Sequence, residues 1–315
     1  MRGRGTLLRS IGTGLWLLAV ALVTGWALQT QFSEISLASV LAAFRTQPAP
    51  RLMASLGLTA LSFLCLAGYD LIGARIVAPK RIPMVVALLA GAAGNAISNT
   101  LGFHALTGSV VRAHIYRRRG LTKTEVARIV SLAWLALGLG FVTMFGAAEL
   151  QRSASGEQSA APLWVGLSIT AGLSMFVAWL AGGPRQISIF GFRQPLPSAR
   201  MALLQMGIGA VESAAAIGAL YILLPLDLSP PFSLFAVGCI AAVALGVLAH
   251  APGGIGVFEA SVTAMLAGAG RADLLAALLM YRAIYNLVPF VLSVVTLGLL
   301  LPKGIDAISS TADTV

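Results

Sequence analysis

Long apolar runs dominate the pattern along the chain. Eight of them approach or exceed the roughly 20 residues that a membrane-spanning helix needs, near 11–28, 52–76, 84–111, 125–149, 162–183, 201–224, 232–268 and 274–300. Two are interrupted by polar or helix-breaking residues, at Gly94-Asn95-Ala96-Ile97-Ser98-Asn99 and at His250-Ala251-Pro252-Gly253-Gly254. Inside a membrane, such breaks are tolerated only where protein or a wet cavity supplies partners for the freed backbone groups. The pattern predicts an all-α polytopic membrane protein with two broken elements.

The distribution of Lys and Arg indicates how the runs cross the membrane, because cytoplasmic loops carry an excess of them. If 84–111 crosses once and the N-terminus is cytoplasmic, the charges up to Arg200 divide into 7 inside and 11 outside. If 84–111 enters and returns to the same side, the same 18 charges divide into 15 inside and 3 outside. The rule therefore predicts that 84–111 is a re-entrant helical hairpin opening to the cytoplasm.

The same path makes 232–268 a second re-entrant hairpin, which opens to the outside. The prediction is then about six full transmembrane helices and two hairpins, in a single membrane domain over 1–315 with both termini cytoplasmic. Helix, helix, hairpin, helix occurs near 11–149 and again near 162–300, and the second copy starts on the opposite side. Inverted repeats with broken elements are typical of transporters.

Composition agrees with this class. Hydrophobic residues make up 58% of the chain and charged residues 10%, against about 25% charged in soluble domains. The net charge of +10 lies mainly in short loops, which favours membrane orientation and anionic headgroups over nucleic acid. Motifs of hydrolases, zinc enzymes and nucleotide-binding loops are absent from the sequence. We therefore expect no enzymatic activity, no metal and no cofactor.

Five charged residues lie inside or at the edges of the runs, where charge is costly and a functional role is the default interpretation. They are Asp70, Arg112, Glu212, Glu259 and Arg282. The arginines could hold a phosphate-bearing headgroup, because a guanidinium bonds two oxygens at once. The carboxyl groups could contact a cationic headgroup or carry a coupling proton.

Structural roles for these residues stay open. Asp70 could pair with nearby Arg75, and Arg112 could simply be the first charge of the cytoplasmic cluster. Glu259 and Arg282 could form a buried salt bridge that joins the second hairpin to the last helix. A structural role for Glu212 is also possible, although it has no basic neighbour in sequence.

Neutral residues at the interruptions and in the last run are candidates for hairpin tips and a polar groove. They are Asn95, Asn99, His104, His250, Pro252, Gly253, Gly254, Tyr281 and Tyr285. The two asparagines could line a polar path or satisfy freed backbone groups. The histidines are interpreted as hydrogen-bonding helix ends rather than metal ligands. Small residues recur at every fourth position from Ala90 to Gly102, a stripe that favours close helix packing.

Several motifs resemble one family. His250-Ala251-Pro252-Gly253-Gly254-Ile255-Gly256-Val257-Phe258-Glu259 resembles the P-G-G-x-G-x-x-E signature in the membrane domain of lysylphosphatidylglycerol synthases and of related stand-alone flippase-like proteins. Tyr281-Arg282-Ala283-Ile284-Tyr285-Asn286-Leu287-Val288-Pro289 resembles that family's Y-R-x-x-Y-x-x-x-P block. Gly94-Asn95-Ala96-Ile97-Ser98-Asn99, followed by Arg112 and Tyr116-Arg117, resembles its first hairpin. The resemblance covers essentially the whole chain.

The resemblance implies a function in lipid translocation, since this domain in the larger members carries aminoacylated phosphatidylglycerol to the outer leaflet. It also places the five charged residues at polar positions that the family uses. The chain ends at Val315 without the synthase domain, so we expect either a stand-alone member or the flippase part of a longer synthase. Membrane phospholipids, anionic or aminoacylated, are the expected partners, and a homo-oligomer is possible.

The expected location is the bacterial inner membrane, with 11–28 retained as a first helix that also acts as the targeting signal. Two other function classes stay open. One is an ion-coupled transporter of a small polar solute, and the other is a non-transporting membrane subunit of a lipid-synthesis complex. An intramembrane enzyme is a weaker alternative.

Overall fold

A computed structural model describes residues 37–102, 104–155, 163–189, 192–249 and 252–300, which form a bundle of helices. The helices are α1 (Leu37–Thr46), α2 (Ala49–Val77), α3 (Met84–Leu101), α4 (His104–Arg117), α5 (Lys123–Ala154), α6 (Leu163–Ala181), α7 (Ala199–Tyr221), α8 (Phe232–Leu248), α9 (Val257–Met265), α10 (Ala272–Tyr281) and α11 (Val288–Leu300). Short 3₁₀ turns lie at Leu226–Leu228 and Pro252–Gly254, and a π-helical turn, Arg282–Leu287, joins α10 to α11. The strands β1 (Gln186–Ile189) and β2 (Phe192–Pro195) pair antiparallel and are an addition to the all-α prediction.

Within these ranges, six helical stretches are long and apolar enough to cross a membrane: Ala49–Val77, Met84–Leu101, Lys123–Ala154, Leu163–Ala181, Ala199–Tyr221 and Ala272–Leu299. The prediction of a multi-pass helical membrane protein is therefore confirmed. Five of these stretches correspond to predicted full spans, whereas the predicted first helix, 11–28, lies outside the described residues. The sixth, Met84–Leu101, was predicted as one limb of a hairpin. Its 18 residues rise about 27 Å, close to the thickness of the hydrocarbon core.

Helix starts coincide with recognisable local signals. Thr122 begins α5 with a capping box, in which its Oγ1 accepts from the Glu125 N–H at 3.2 Å and Glu125 Oε2 accepts from the Thr122 N–H at 2.7 Å. Each side chain thus accepts from a backbone N–H that would otherwise have no partner at the start of the helix. Prolines stand immediately before α3 and α8, at Pro83 and Pro231, where their fixed φ suits the first turn.

Helices α3 and α4 lie in the segment predicted as the first hairpin, and we call the two helices together the first hairpin. The chain turns at Gly102, whose φ of 77° favours glycine. The limbs run antiparallel, since a Cβ added at Gly108 of α4 would lie 3.1 Å from the Gly94 carbonyl oxygen of α3. Gly94 and Ser98 of the stripe of small residues lie in this contact, and Ala90 and Ser98 are buried, which agrees with the predicted packing role. The helix α4 extends to Arg117, beyond the predicted end at 111.

The second hairpin consists of α8 and α9, with the 3₁₀ turn between them. Gly253, Gly254 and Gly256 have φ values of 60°, 65° and 82°, in the left-handed region that costs glycine little. These values explain why the interruption is rich in glycine. The second limb ends at Met265, three residues before the predicted boundary of 268.

The tips of the two hairpins meet. A Cβ added at Gly253 would lie 3.1 Å from the Thr100 carbonyl oxygen and 3.4 Å from that of Asn99. Thr100 Oγ1 also donates to the Asn286 carbonyl at 3.1 Å. The end of α3 is therefore held against both the second tip and the π-helical turn.

Three long helices, α2, α5 and α7, form the centre of the bundle. Gly140 of α5 and Gly209 of α7 bring two backbones into contact, since a Cβ added at Gly140 would lie 2.6 Å from the Gly209 Cα. Such close approach gives van der Waals contact that lipid cannot replace. Helix α2 packs on the same part of α7, since a Cβ added at Gly209 would also lie 3.0 Å from the Tyr69 hydroxyl oxygen, so polar side chains of α2 and α7 can meet in the interior.

Candidate functional site

The first ion pair joins Asp70 of α2 to Arg112 of α4. Arg112 Nε donates to both Asp70 oxygens at 2.9 and 3.0 Å, and Nη2 donates to Oδ2 at 2.8 Å. Tyr116 Oη adds a hydrogen bond to Oδ1 at 3.1 Å. Asp70 is 0% exposed and Arg112 is 5% exposed. The fork-shaped contact is the geometry in which arginine binds any two-oxygen anion.

Glycines shape the space around this pair. A Cβ added at Gly94 or at Gly108 would lie 2.8 Å from Arg112 Nη1, and one at Gly91 would lie 2.9 Å from the Asp70 Cβ. The first hairpin can therefore close around a guanidinium only because these three positions lack side chains. Asp70 pairs across the bundle instead of with nearby Arg75, which is exposed.

The second ion pair joins Glu259 of α9 to Arg282 of the π-helical turn. Arg282 Nε donates to Glu259 Oε1 at 2.6 Å, and Glu259 Oε2 accepts from the Gly256 N–H at 2.7 Å. The remaining Arg282 nitrogens donate to the carbonyls of Gly253 at 2.6 Å and Gly254 at 3.2 Å. The structure thus contains the salt bridge that the sequence left open, and this one arginine also binds the hairpin tip.

The π-helical turn has a local cause. Pro289 has no N–H to donate to the carbonyl of Tyr285, four residues earlier, and its ring would clash there in a regular α-helix. A wider turn relieves that clash. Tyr281, at the end of α10, stacks against Tyr285 of this turn with ring centroids 5.1 Å apart, and against Phe258 at 6.1 Å.

A third polar centre, the Glu212 cluster, consists of Glu212, Ser62, Ser213 and Tyr285. Ser62 Oγ lies 3.1 Å from Glu212 Oε1 and 2.8 Å from Tyr285 Oη. Ser213 Oγ donates to Glu212 Oε2 at 3.3 Å, and Tyr285 Oη lies 3.5 Å from Oε1. Helix α2 links this centre to the first ion pair, because Ser62 and Asp70 are eight residues apart, about 12 Å along the helix.

The remaining predicted residues divide into two groups. Asn95 donates to the Gly91 carbonyl at 2.8 Å, so its amide is bonded within its own helix, and the Asn99 carbonyl faces the second tip. The side chains of His104 and Pro252, and the whole of His250, lie outside the described residues. Among the residues that are described, no group of three or more His, Cys, Asp or Glu side chains could hold a metal ion.

Some polar residues were not singled out from the sequence. Glu149 and Arg152 form a buried ion pair at 3.2 Å, and Arg152 is one of the three charges that the predicted path counts as outside. Gln205 is fully buried, and neither of its side-chain amide atoms has a hydrogen-bond partner. The signal for Gln205 was available, because it is an isolated amide within an apolar run.

The family described as Lysylphosphatidylglycerol synthase TM region matches residues 14–293. The chain belongs to this family. The match covers both ion pairs and the Glu212 cluster, and it includes the P-G-G-x-G-x-x-E and Y-R-x-x-Y-x-x-x-P segments whose contacts are described above. The resemblance inferred from those segments is therefore confirmed.

Two relatives of the family match over most of their lengths. The inner membrane protein YbhN of Escherichia coli is 30% identical over 258 residues, which cover 78% of each chain. The uncharacterized protein slr0712 of Synechocystis is 28% identical over 299 residues, covering 92% of this chain and 90% of the relative. The multi-pass membrane architecture agrees with the name of the Escherichia coli relative.

Proposed function

We propose that this protein moves a phospholipid between the leaflets of the bacterial inner membrane, with aminoacylated phosphatidylglycerol as the candidate cargo. The observation that carries the proposal is the fork-shaped contact of Arg112 with Asp70, buried where α2 meets the first hairpin. A phosphate group presents the same pair of oxygens to a guanidinium as a carboxylate does. Asp70 therefore holds Arg112 in the arrangement that a lipid phosphate would require.

An apolar groove beside this pair suits the acyl chains. It lies between α2 and α3, has a volume of about 400 Å³, and is lined by side chains such as Leu64, Ala67 and Leu88. Ala67 also faces Gly91, which contacts Asp70. The proposal is that the headgroup exchanges with Asp70 on Arg112 while the tails stay in this groove and the surrounding lipid.

The proposed topology keeps the two hairpins re-entrant from opposite sides, in an inverted repeat with cytoplasmic termini. Contact between the tips, at Gly253 and Thr100, then lies within the membrane and closes the path between the two sides. Movement of the headgroup requires the tips to part. The absence of basic and acidic side chains from the middle of α6 fits a peripheral position facing lipid.

The test is headgroup accessibility in proteoliposomes that contain fluorescent phosphatidylglycerol or lysyl-phosphatidylglycerol. An external quencher removes the label of the outer leaflet only, unless the protein delivers inner-leaflet lipid to it. The informative variant is Asp70→Leu/Arg112→Met, because replacing a buried ion pair with apolar side chains of similar size usually preserves stability. Arg271→Gln, a change in an exposed charge cluster, is the matched control.

We expect the wild type and the control to expose inner-leaflet lipid, and the double variant to resemble empty liposomes. The lipid that is exposed fastest identifies the cargo. If wild type and empty liposomes give the same quenching for every lipid, with and without a proton gradient, lipid translocation is refuted. The solute-transporter and scaffold alternatives would then take its place.

A further inference from the structure

Glu212 differs from every other acidic residue in the described ranges. Asp70, Glu149 and Glu259 are ion-paired with arginines inside the bundle. The acidic residues nearer the helix ends, Glu125, Asp227 and Asp273, are also ion-paired with arginines. Glu212 is 4% exposed, and its polar contacts are the neutral hydroxyls of Ser62, Ser213 and Tyr285.

No arginine or lysine of the described residues forms an ion pair with Glu212, and Arg282, which lies beside Tyr281 on the last span, is ion-paired with Glu259 instead. The ionisable neighbours of Glu212 are Cys65 and Tyr69 of α2, and Tyr281 and Tyr285 of the last span. These groups are neutral at physiological pH. Helix α5 has no ionisable residue between Arg128 and Glu149, α6 has none, and α8 contributes only a cysteine.

A carboxylate without a cationic partner is costly at this position. Glu212 is 13 residues into α7, about 20 Å along a helix that crosses a hydrocarbon core about 30 Å thick. Burial in such a medium favours the neutral acid over the anion. The three hydroxyls can hydrogen-bond to either form, so the cluster can accommodate both protonation states.

A second observation points to a route for the proton. Gln205 is 0% exposed and Tyr69 is 1% exposed. The two side-chain amide atoms of Gln205 and the hydroxyl of Tyr69 nevertheless have no hydrogen-bond partner. Buried polar groups without protein partners are typically satisfied by internal water. Gln205 and the hydroxyl of Tyr69, which lies against Gly209, are between Glu212 and the N-terminal end of α7.

The spacing along α7 places Gln205 and Glu212 on the face of the helix that the Tyr69 hydroxyl contacts. Gln205, Gly209 and Glu212 are separated by four and three residues, so they share one face of the helix. Gly209 leaves room for the tyrosine, since a Cβ added there would lie 3.0 Å from the Tyr69 hydroxyl oxygen. The hydroxyl therefore lies against the face that joins Gln205 to Glu212.

We propose that Glu212 is a proton-binding site, and that Gln205 and Tyr69 hold the water through which the proton arrives from the side where α7 begins. The carboxylate takes one proton from this water and becomes neutral, while the water regains a proton from bulk solvent, and the carboxyl group later returns its proton to water when the bundle rearranges. No other bond changes. Coupling of this proton to lipid movement rests on the proposed function, whereas the protonation itself does not.

Protonation can be measured directly in the purified full-length protein. The infrared carbonyl stretch of a protonated carboxylic acid is recorded as a function of pH for wild type, Glu212→Gln and Glu149→Gln. Glu149 is the matched control, because it is equally buried but ion-paired. We expect a protonated band near neutral pH that Glu212→Gln removes and Glu149→Gln leaves in place. A wild-type spectrum without such a band near neutral pH would overturn the site.

The route is tested with Tyr69→Phe and Gln205→Leu in liposomes containing a pH-sensitive dye. The dye reports the pH change and the infrared band of protonated Glu212 reports its protonation. Both variants should keep this band at equilibrium. After a pH jump the band should appear about five- to tenfold more slowly, a rate change equivalent to the loss of one net hydrogen bond. A merely structural role would leave the rate unchanged, because neither group has a protein partner to lose. Wild-type rates in both variants would overturn the route.

The lipid assay separates this inference from the proposed function. Coupling predicts that lipid exposure depends on pH in wild type and is independent of pH in Glu212→Gln. Lipid movement that is equally independent of pH in wild type would overturn coupling and leave translocation standing. A Glu212-dependent band in a protein that moves no lipid would support the proton site and refute lipid translocation.

Discussion

Removing one partner of the first ion pair should destabilise the protein far more than removing both. Asp70→Ala leaves the Arg112 guanidinium buried without the carboxylate that accepts three contacts of 2.8 to 3.0 Å. Breaking a buried pair in this way costs about 3 to 5 kcal/mol. Solvent screening does not reduce the effect, since the side chains are 0% and 6% exposed.

The amide of Asp70→Asn retains an oxygen that can accept from the arginine. We therefore expect this variant to lose about 3 kcal/mol of unfolding free energy, the lower end of the range for a broken buried pair. The double variant Asp70→Leu/Arg112→Met should recover to within about 1 kcal/mol of wild type, because no charge remains buried. Asp227→Asn serves as the comparison, because Asp227 is exposed and an exposed ion pair contributes little to stability.

Reversible unfolding in mixed detergent micelles, with an increasing fraction of denaturing detergent, measures these free energies. The double-mutant cycle then gives the coupling between the two side chains. Single variants within about 1 kcal/mol of wild type would show that the pair is solvated or absent in the membrane. A double variant as unstable as the single variants would show that packing, not charge, is responsible.

Three further outcomes are expected, each measured as a thermal midpoint in detergent. Gly94→Ala places a Cβ 2.8 Å from the guanidinium of the first ion pair and should cost about 1 to 3 kcal/mol, whereas Gly57→Ala, with open space around it, should change little. Arg282→Lys keeps the charge but loses the fork that binds both carbonyls of the second tip, and should cost about 2 kcal/mol. Hydrogen bonds from Arg271 lower the pKa of Asp227 from its ordinary 3.8. The stabilisation that ionised Asp227 gives the folded protein is therefore complete above pH 3.8, and it is lost as the pH falls through the lowered pKa. The midpoint of wild type should therefore fall more steeply with acid than that of Asp227→Asn.

The apolar pattern predicted the helices well because a helix in lipid must satisfy its own backbone. Its boundaries moved by a few residues, as at α5, which extends to Ala154. The pattern did not show that Met84–Leu101 is long enough to span by itself, because apolar residues resume after the turn at Gly102 and 84–111 was treated as one interrupted run. The re-entrant path, the inverted repeat and the cytoplasmic termini stay predictions.

The sequence nominated the charged residues but could not assign all of their partners. Glu259 and Arg282 were recognised as a possible pair through their motifs, whereas Asp70 and Arg112 are 42 positions apart and were considered separately. The nearest arginine in sequence, Arg75, proved irrelevant to Asp70. Partner choice depends on which helices pack together, here on the glycines that let the first hairpin approach α2. Neutral polar residues were considered only at the interruptions and in the family motifs, so Gln205 and Tyr69, which lie in neither, were missed.

The order of the charges along the chain has a consequence for biogenesis. In the three ion pairs that lie inside the bundle of the described residues, the acid precedes the arginine: Asp70 before Arg112, Glu149 before Arg152, and Glu259 before Arg282. A carboxyl group can enter lipid by taking up a proton, whereas a guanidinium keeps its charge. During synthesis from the N-terminus, each arginine is therefore made after the acid that pairs with it, and a neutral carboxyl group is the less costly of the two to insert first.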